Sequence, residues 1–324
     1  MNRRGFLAAV GGAVGRGLLP LPLPAGLDGD HFVERWSWAM GQPVHLMVFA
    51  SSEQHGLDAC AAALRELRRV EARLTLFDDG SELSELNRRA GRGAMRLGSD
   101  LRAILGAGER TRQRTGGAFN LAIEPLMRAW GFHRPRPTAP SAAELDEARD
   151  AVQSAVIELD GDRVRLPASH TRLDPGSIGV GYGIDRALGV LQAHGIRRAF
   201  LDVSGDCAAL DPPPGEAGWL VGVADPADRN STVAETRIHN AALATAANTE
   251  SRVRYGALLA GHVMDPATGW PARKVAQATV LADTATAADA LSTAAFVRPG
   301  SASWGIHGSW LVSRSEAGAV EFPN

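Results

Sequence analysis

Asp289 and Thr293 are the residues from which chemistry can first be argued in this chain. They lie four apart in the alanine-rich run Ala282-Asp283-Thr284-Ala285-Thr286-Ala287-Ala288-Asp289-Ala290-Leu291-Ser292-Thr293-Ala294, which reads as a helix. Positions i and i+4 share one helix face, so the carboxylate and the hydroxyl can converge on one point. Hard oxygen donors on a rigid element suit Mg2+ better than zinc or copper. Two oxygens do not complete a metal site, so further ligands must come from elsewhere.

Other segments offer groups of the right kind. Asp174 to Asp185 (Asp-Pro-Gly-Ser-Ile-Gly-Val-Gly-Tyr-Gly-Ile-Asp) is a glycine-rich segment feeding a helix, where free N–H groups and the helix dipole favour phosphate. It lacks the preceding strand and βαβ setting of a dinucleotide fingerprint, and a glycine-lined helix start built for close packing is the alternative reading. Gly261 to Gly269 sets the imidazole of His262 beside a turn, although a lone histidine is more often structural than catalytic. Thr115 to Asn120 places small residues where backbone amides can approach a ligand, or forms a plain turn. Val203-Ser204-Gly205-Asp206 lacks the first glycine of a nucleophile elbow, which argues against a serine hydrolase.

The elements that must position these groups follow from pattern. Alternation over 31–50 suggests a strand, and Leu57, Cys60, Leu64, Leu67, Val70 and Leu74 mark an amphipathic helix. Ser99 reads as the cap of another helix through about Arg114, and Ser141-Ala142-Ala143-Glu144 is a capping box for a third. Asp160-Gly161 joins two short strands as a hairpin, and Tyr182 to His194 is helical, ended by Gly195. Ile196–Val203, Trp219–Ala224, Val233–Leu243 and Ala276–Leu281 read as strands, with Ser309–Val312 closing the sheet. Pro and Gly clusters at 133–140 and 211–218 read as surface loops. Hairpins mixed with helices, without regular βαβ alternation, predict an α+β fold of mixed sheets with packed helices.

Composition narrows the field. The 324 residues are 45% hydrophobic, enough for a substantial core, and the net charge of −2 gives no footprint for nucleic acid. Cys60 and Cys207 are the only cysteines, too few for a zinc cluster, and a disulfide between them has no support. Asn2-Arg3-Arg4-Gly5-Phe6-Leu7, followed by an Ala/Gly-rich apolar run, reads as a twin-arginine export signal over 1–25, ahead of a domain at 31–324. It implies a protein on the outer side of a bacterial inner membrane.

Taken in order, these segments resemble the ApbE-type flavin transferases (FAD:protein FMN transferases). The resemblance is carried by Met40-Gly41, Asp79 to Asn87, Gly116 to Phe119, Asp174 to Asp185, Gly205-Asp206, His262 to Gly269, and Ala288 to Thr293. It implies transfer of FMN from FAD to a threonine hydroxyl of an acceptor flavoprotein or membrane redox subunit, with Mg2+ as cofactor and AMP released. It also implies that Ser177, Asp289 and Thr293 ligate Mg2+, the first through its carbonyl. By the same correspondence His262 is the general base, and Met40, Phe77, Ala118, Phe119, Asn120, Asp174, Val180 and Met264 line the FAD site.

The chain departs from the family pattern at several of these places. Val180 stands where a charged residue is common, Asn120 where aspartate is usual, and Ser204 where glycine is usual. Thr245-Ala246-Ala247 replaces a Thr-Ser-Gly, and Gln42 replaces a threonine. These departures keep two alternatives open: a non-catalytic FAD-binding protein, or an Mg2+-dependent FAD pyrophosphatase in which water takes the hydroxyl's place.

Overall fold

The computed structural model describes residues 30–228, 230–248, 251–300, 304, 307–313 and 320–321. The twin-arginine segment lies outside the described residues. An eight-stranded antiparallel sheet forms the centre, with strands in the order β1 (His31–Ala39), β2 (Gln42–Ala50), β6 (Arg198–Val203), β7 (Asp206–Ala209), β10 (Ala241–Ala247), β13 (Val275–Ala282), β14 (Gly308–Ser313) and β15 (Val320–Glu321). Two small ribbons complete the β structure near it: β8 (Trp219–Ala224) with β9 (Thr232–Ile238), and β11 (Arg252–Tyr255) with β12 (Leu258–Gly261). A three-stranded sheet joins β3 (Met95–Arg96), β4 (Glu158–Asp160) and β5 (Arg163–Arg165). The mixture of helices and sheets is the α+β class read from the sequence.

The helices are α1 (Glu53–Leu74), α2 (Glu82–Arg88), α3 (Ser99–Arg114), α4 (Glu124–Ala129), α5 (Ala142–Gln153), α6 (Gly179–Ala193) and α7 (Ala285–Val297). Of these, α1, α6 and α7 pack on one face of the central sheet. Leu64 and Leu67 of α1 and Ile184 and Leu191 of α6 meet Val44, Leu46, Val48 and Leu201 of the sheet. Each such side chain removed from water contributes about 1.5–3 kcal/mol. On the opposite face Trp219, Val221 and Val223 of β8 close over Phe49, Phe200, Cys207 and Leu243. Helix α7 is buried on nearly every side, as an alanine-rich helix with no polar face must be. Cys60 and Cys207 are both free thiols, buried in different clusters on opposite faces of the sheet.

Five boundaries differ from the sequence reading. Residues 31–50 form two strands, because Met40 (φ 56°) and Gly41 (φ 69°) make a two-residue turn with left-handed φ at both centres. Residues 233–243 likewise split between β9 and β10 at Asn240 (φ 47°). Helix α3 takes Gly98 as its cap and Ser99 as its first residue, and α6 starts three residues before Tyr182. Residues 309–312 form the penultimate strand, because Val320–Glu321 pairs outside it. The Ser141 capping box forms as read, with both reciprocal hydrogen bonds present.

Candidate active site

The start of α6, the inner face of α7 and the ends of several strands meet over a cavity of about 680 Å³, within the usual range for small-molecule sites. Asp289 and Thr293 reach it from α7, and Ser177 and Val180 reach it from the start of α6. The two helices touch because Gly181 has no side chain: a Cβ there would meet the Ala285 carbonyl oxygen at 2.1 Å and the Asp289 Cβ at 2.8 Å. That closeness lets the Gly181 N–H donate to Asp289 Oδ2 at 2.9 Å. Asp185, one turn further along α6, accepts from the N–H groups of Ala285 and Thr286 at 2.8 and 2.9 Å, capping α7 from outside. The glycine-rich segment therefore serves packing and the site together.

Asp174 is held from both sides. The buried Asn87 amide donates to the Leu173 carbonyl at 2.9 Å and accepts the Leu173 N–H at 2.8 Å. The Asp174 N–H donates to Leu121 O, and Asp174 Oδ1 accepts from Gly176 N–H, both at 2.8 Å. The segment Asp79 to Asn87 thus has a physical role, since Ser81 caps α2 and Asn87 pins the loop that presents Asp174. Asn120 lines the cavity, and its Oδ1 accepts from Ala122 N–H at 2.9 Å, the capping bond an aspartate would make, without the charge.

His262 enters at the end of β12 on a loop clamped by Asn248, which accepts from Val263 N–H at 3.0 Å and donates to Ala272 O at 3.1 Å. Its Nδ1 is buried without a hydrogen-bond partner among the described residues. Burial holds the imidazole below its ordinary pKa, against smaller opposing contributions from the Ser251 carbonyl and Asp174. The ring is therefore neutral near pH 7, the state a general base requires.

The cavity's charge is one-sided. Its wall includes Asp174, Asp202, Asp206, Asp225 and Asp289, and among the described residues that line it there is no lysine or arginine. Burial pushes Asp289 well above the carboxylate range, and the nearby Asp206 charge adds to this. Desolvation and the Asp202 charge raise Asp206 to about 7 against a hydrogen bond from Thr245 N–H, and desolvation raises Asp202 to about 6. Carboxylates that resist ionising together are stabilised by a cation placed among them. Among the described residues no three His, Cys, Asp or Glu side chains could hold an ion by themselves. A mixed set is left: the Asp289 carboxylate, the Thr293 hydroxyl and the Ser177 carbonyl, hard oxygens that fit Mg2+.

The ApbE family model matches residues 40–306. The chain belongs to the ApbE family. Among its relatives, the FAD:protein FMN transferase of Treponema pallidum is 29% identical over 258 residues, covering 73% of this chain and 71% of that protein. The corresponding transferase of Rhodobacter capsulatus is 27% identical over 90% of this chain, which spans 55% of that longer protein. In three dimensions, the ApbE protein of Thermotoga maritima superposes with a TM-score of 0.81 at 26% identity, over 91% of this chain and 97% of that one. The Pseudomonas stutzeri flavinyl transferase ApbE, at 23% identity and a TM-score of 0.78 over 90% of this chain and 94% of its own, shares the fold.

Of the positions that the ApbE resemblance nominates, Ala118, Asn120, Asp174, Ser177, Val180, His262, Met264, Asp289 and Thr293 all line the one cavity. Three sit apart from its wall. Phe119 is fully buried in the core beneath α3 and α7. Met40 lies in the β1–β2 turn, where its N–H donates to Glu71 Oε2 at 2.7 Å and its sulfur lies against Gly183. Phe77 is 82% exposed and stands edge-on to His133, with ring centroids 6.0 Å apart. Sequence reasoning missed Asp202, the role of Asp206, and the clamps Asn87 and Asn248. Gly205-Asp206 and Asp79 to Asn87 carried a signal, as ApbE segments; Asp202 and Asn248 carried none.

Proposed function

We propose that this chain transfers FMN from FAD to a threonine hydroxyl of an acceptor protein, with Mg2+ as cofactor, releasing AMP. The observation that carries the reading is the convergence of Ser177, Asp289, Thr293 and a neutral His262 on one cavity. Family membership and the named activities of the relatives support it independently. In the step, the acceptor hydroxyl oxygen bonds to the phosphorus that bears the riboflavin portion, the P–O bond to AMP breaks, and the hydroxyl proton passes to His262. A positioned base of this kind contributes about 10²–10⁴-fold in rate.

Asp289, Thr293 and the Ser177 carbonyl would hold Mg2+, which when bound neutralises the pyrophosphate and the charge that builds on the leaving phosphate. A cavity wall of carboxylates without a lysine or arginine needs that cation before a pyrophosphate can approach. Ala118, Asn120, Asp174, Val180 and Met264 shape the walls for the dinucleotide. The twin-arginine pattern supports an exported protein whose acceptors are flavoproteins or membrane redox subunits outside the inner membrane.

The test uses FAD, Mg2+ and an acceptor polypeptide carrying the target threonine, with AMP followed by chromatography and covalent flavin followed on the acceptor. Formation of both, lost with EDTA and in Asp289→Ala, is the expected result. FAD bound without AMP would refute transfer and leave a flavin-binding protein. AMP with free FMN and no labelled acceptor would mean hydrolysis by water.

A further inference from the structure

Beside Asp174, outside the cavity wall, lies a charged pair of contacts that the transfer reading does not use. His133 Nε2 is 3.1 Å from Asp174 Oδ2, and its Nδ1 is 3.7 Å from Glu124 Oε1. The three side chains are only 11–16% exposed, and Glu124 is bound on its other side by Arg128 at 2.7 Å. His133 follows α4 on a segment fixed by the fully buried Trp130, whose indole N–H donates to Gly269 O at 2.8 Å. Its ring also meets the edge of Phe77, the exposed aromatic at 6.0 Å.

We propose that His133 is a positioning residue for FAD: its imidazolium bridges Asp174 and Glu124 and so fixes and neutralises the carboxylate that Asp174 presents to the cavity. The proposal rests on the reading of Asp174 as part of the FAD site. Its physical basis is charge. Asp174 is one of the carboxylates on a wall that lacks lysine and arginine, and an unpaired carboxylate there would repel the pyrophosphate of FAD. With Oδ1 bound to Gly176 N–H and Oδ2 to His133, the carboxylate keeps lone pairs for a hydroxyl or amine of the dinucleotide while its net charge is balanced. Burial pulls the His133 imidazolium down, but hydrogen bonds and charge from Asp174 and Glu124 outweigh it and raise the group to about 9, so the cation persists at neutral pH. By holding Phe77 through an edge contact, the same ring ties the exposed aromatic to the carboxylate.

The experiment measures FAD affinity by quenching of flavin fluorescence, and KM and kcat by AMP release, for wild type, His133→Gln, Asp174→Asn and the double variant. Thermal unfolding without FAD checks that each is folded. His133→Gln is expected to weaken FAD binding about tenfold, with the loss in Kd and KM exceeding any loss in kcat. The double variant should bind no more than twofold worse than Asp174→Asn alone, because His133 acts through Asp174. Wild-type affinity in His133→Gln, with Asp174→Asn weakened, would overturn the proposal and leave Asp174 in the FAD site. Additive losses would overturn it as well. Unchanged affinity in Asp174→Asn would instead remove Asp174 from the FAD site, and the proposal with it.

Discussion

Helix α6 holds a pair of glycines at which one substitution should have opposite effects. A Cβ on Gly181 would lie 2.1 Å from the Ala285 carbonyl oxygen and 2.8 Å from Asp289 Cβ, whereas a Cβ on Gly189 meets nothing within 4 Å. An ordinary Cβ contact begins near 3.4 Å, so Gly181→Ala requires α6 and α7 to part by about 1 Å, and the obstructing atoms are backbone and Cβ that cannot rotate away. Overpacking of this kind costs about 1–3 kcal/mol, and the rigid obstruction places this case at the upper end. Parting the helices also stretches the 2.9 Å hydrogen bond from Gly181 N–H to Asp289, which sets the carboxylate's position. A misplacement of about 1 Å in a catalytic group can cost 10²-fold in rate.

Gly189→Ala should instead stabilise by about 0.4–1 kcal/mol, because it removes freedom from the unfolded chain at an exposed helical position. At about 2–4 °C per kcal/mol for a chain of roughly this size, calorimetry should show Gly181→Ala melting about 6–12 °C lower and Gly189→Ala up to about 4 °C higher. AMP release should fall about 100-fold in the first and stay at the wild-type level in the second. A Gly181→Ala protein with wild-type melting and turnover would refute the claim that the α6–α7 contact sets the position of the Asp289 carboxylate.

Further expectations concern the base, the cation and the clamps. His262→Ala should lower kcat by about 10²–10⁴-fold with FAD affinity retained, and equal losses in binding and rate would contradict the base assignment. Because His262 sits below its ordinary pKa when folded, it opposes folding as pH drops below about 6.5, and His262→Ala should flatten the acid side of the melting profile. Asp289 and Asp206 are raised in the folded chain, so without metal both work against folding once pH rises above about 4, Asp206 up to about 7. Mg2+ should therefore raise the melting temperature more at pH 8 than at pH 5.5, and an equal gain at both would refute this reading. Asn87→Ala leaves the Leu173 N–H and carbonyl without partners, at about 1–3 kcal/mol for each buried group left unsatisfied. Denaturant unfolding should show the loss, together with weaker FAD binding through Asp174.

Local rules and spacing account for what was legible before folding is considered. The i, i+4 pair Asp289 and Thr293, the Ser141 capping box, the α1 stripe and the hairpin at Asp160-Gly161 depend on neighbours within a turn or two, and each is present in the fold. The order of the ApbE segments named the family because several weak motifs in one order are jointly specific. Contacts between distant parts of the chain arise only from packing. Asn87 meets Leu173 across 86 positions and Asp185 meets Ala285 across 100, and no local period marks either pair. His133 is an unremarkable loop histidine until folding sets it between Asp174 and Glu124. The turns at Met40-Gly41 and Asn240 broke strands that alternation alone read as continuous, because left-handed φ at one or two residues leaves hydrophobic periodicity unchanged. The one-sided charge of the cavity belongs to the fold for the same reason: its carboxylates are scattered from Asp174 to Asp289, and only the packing of α6, α7 and the sheet brings them to one wall.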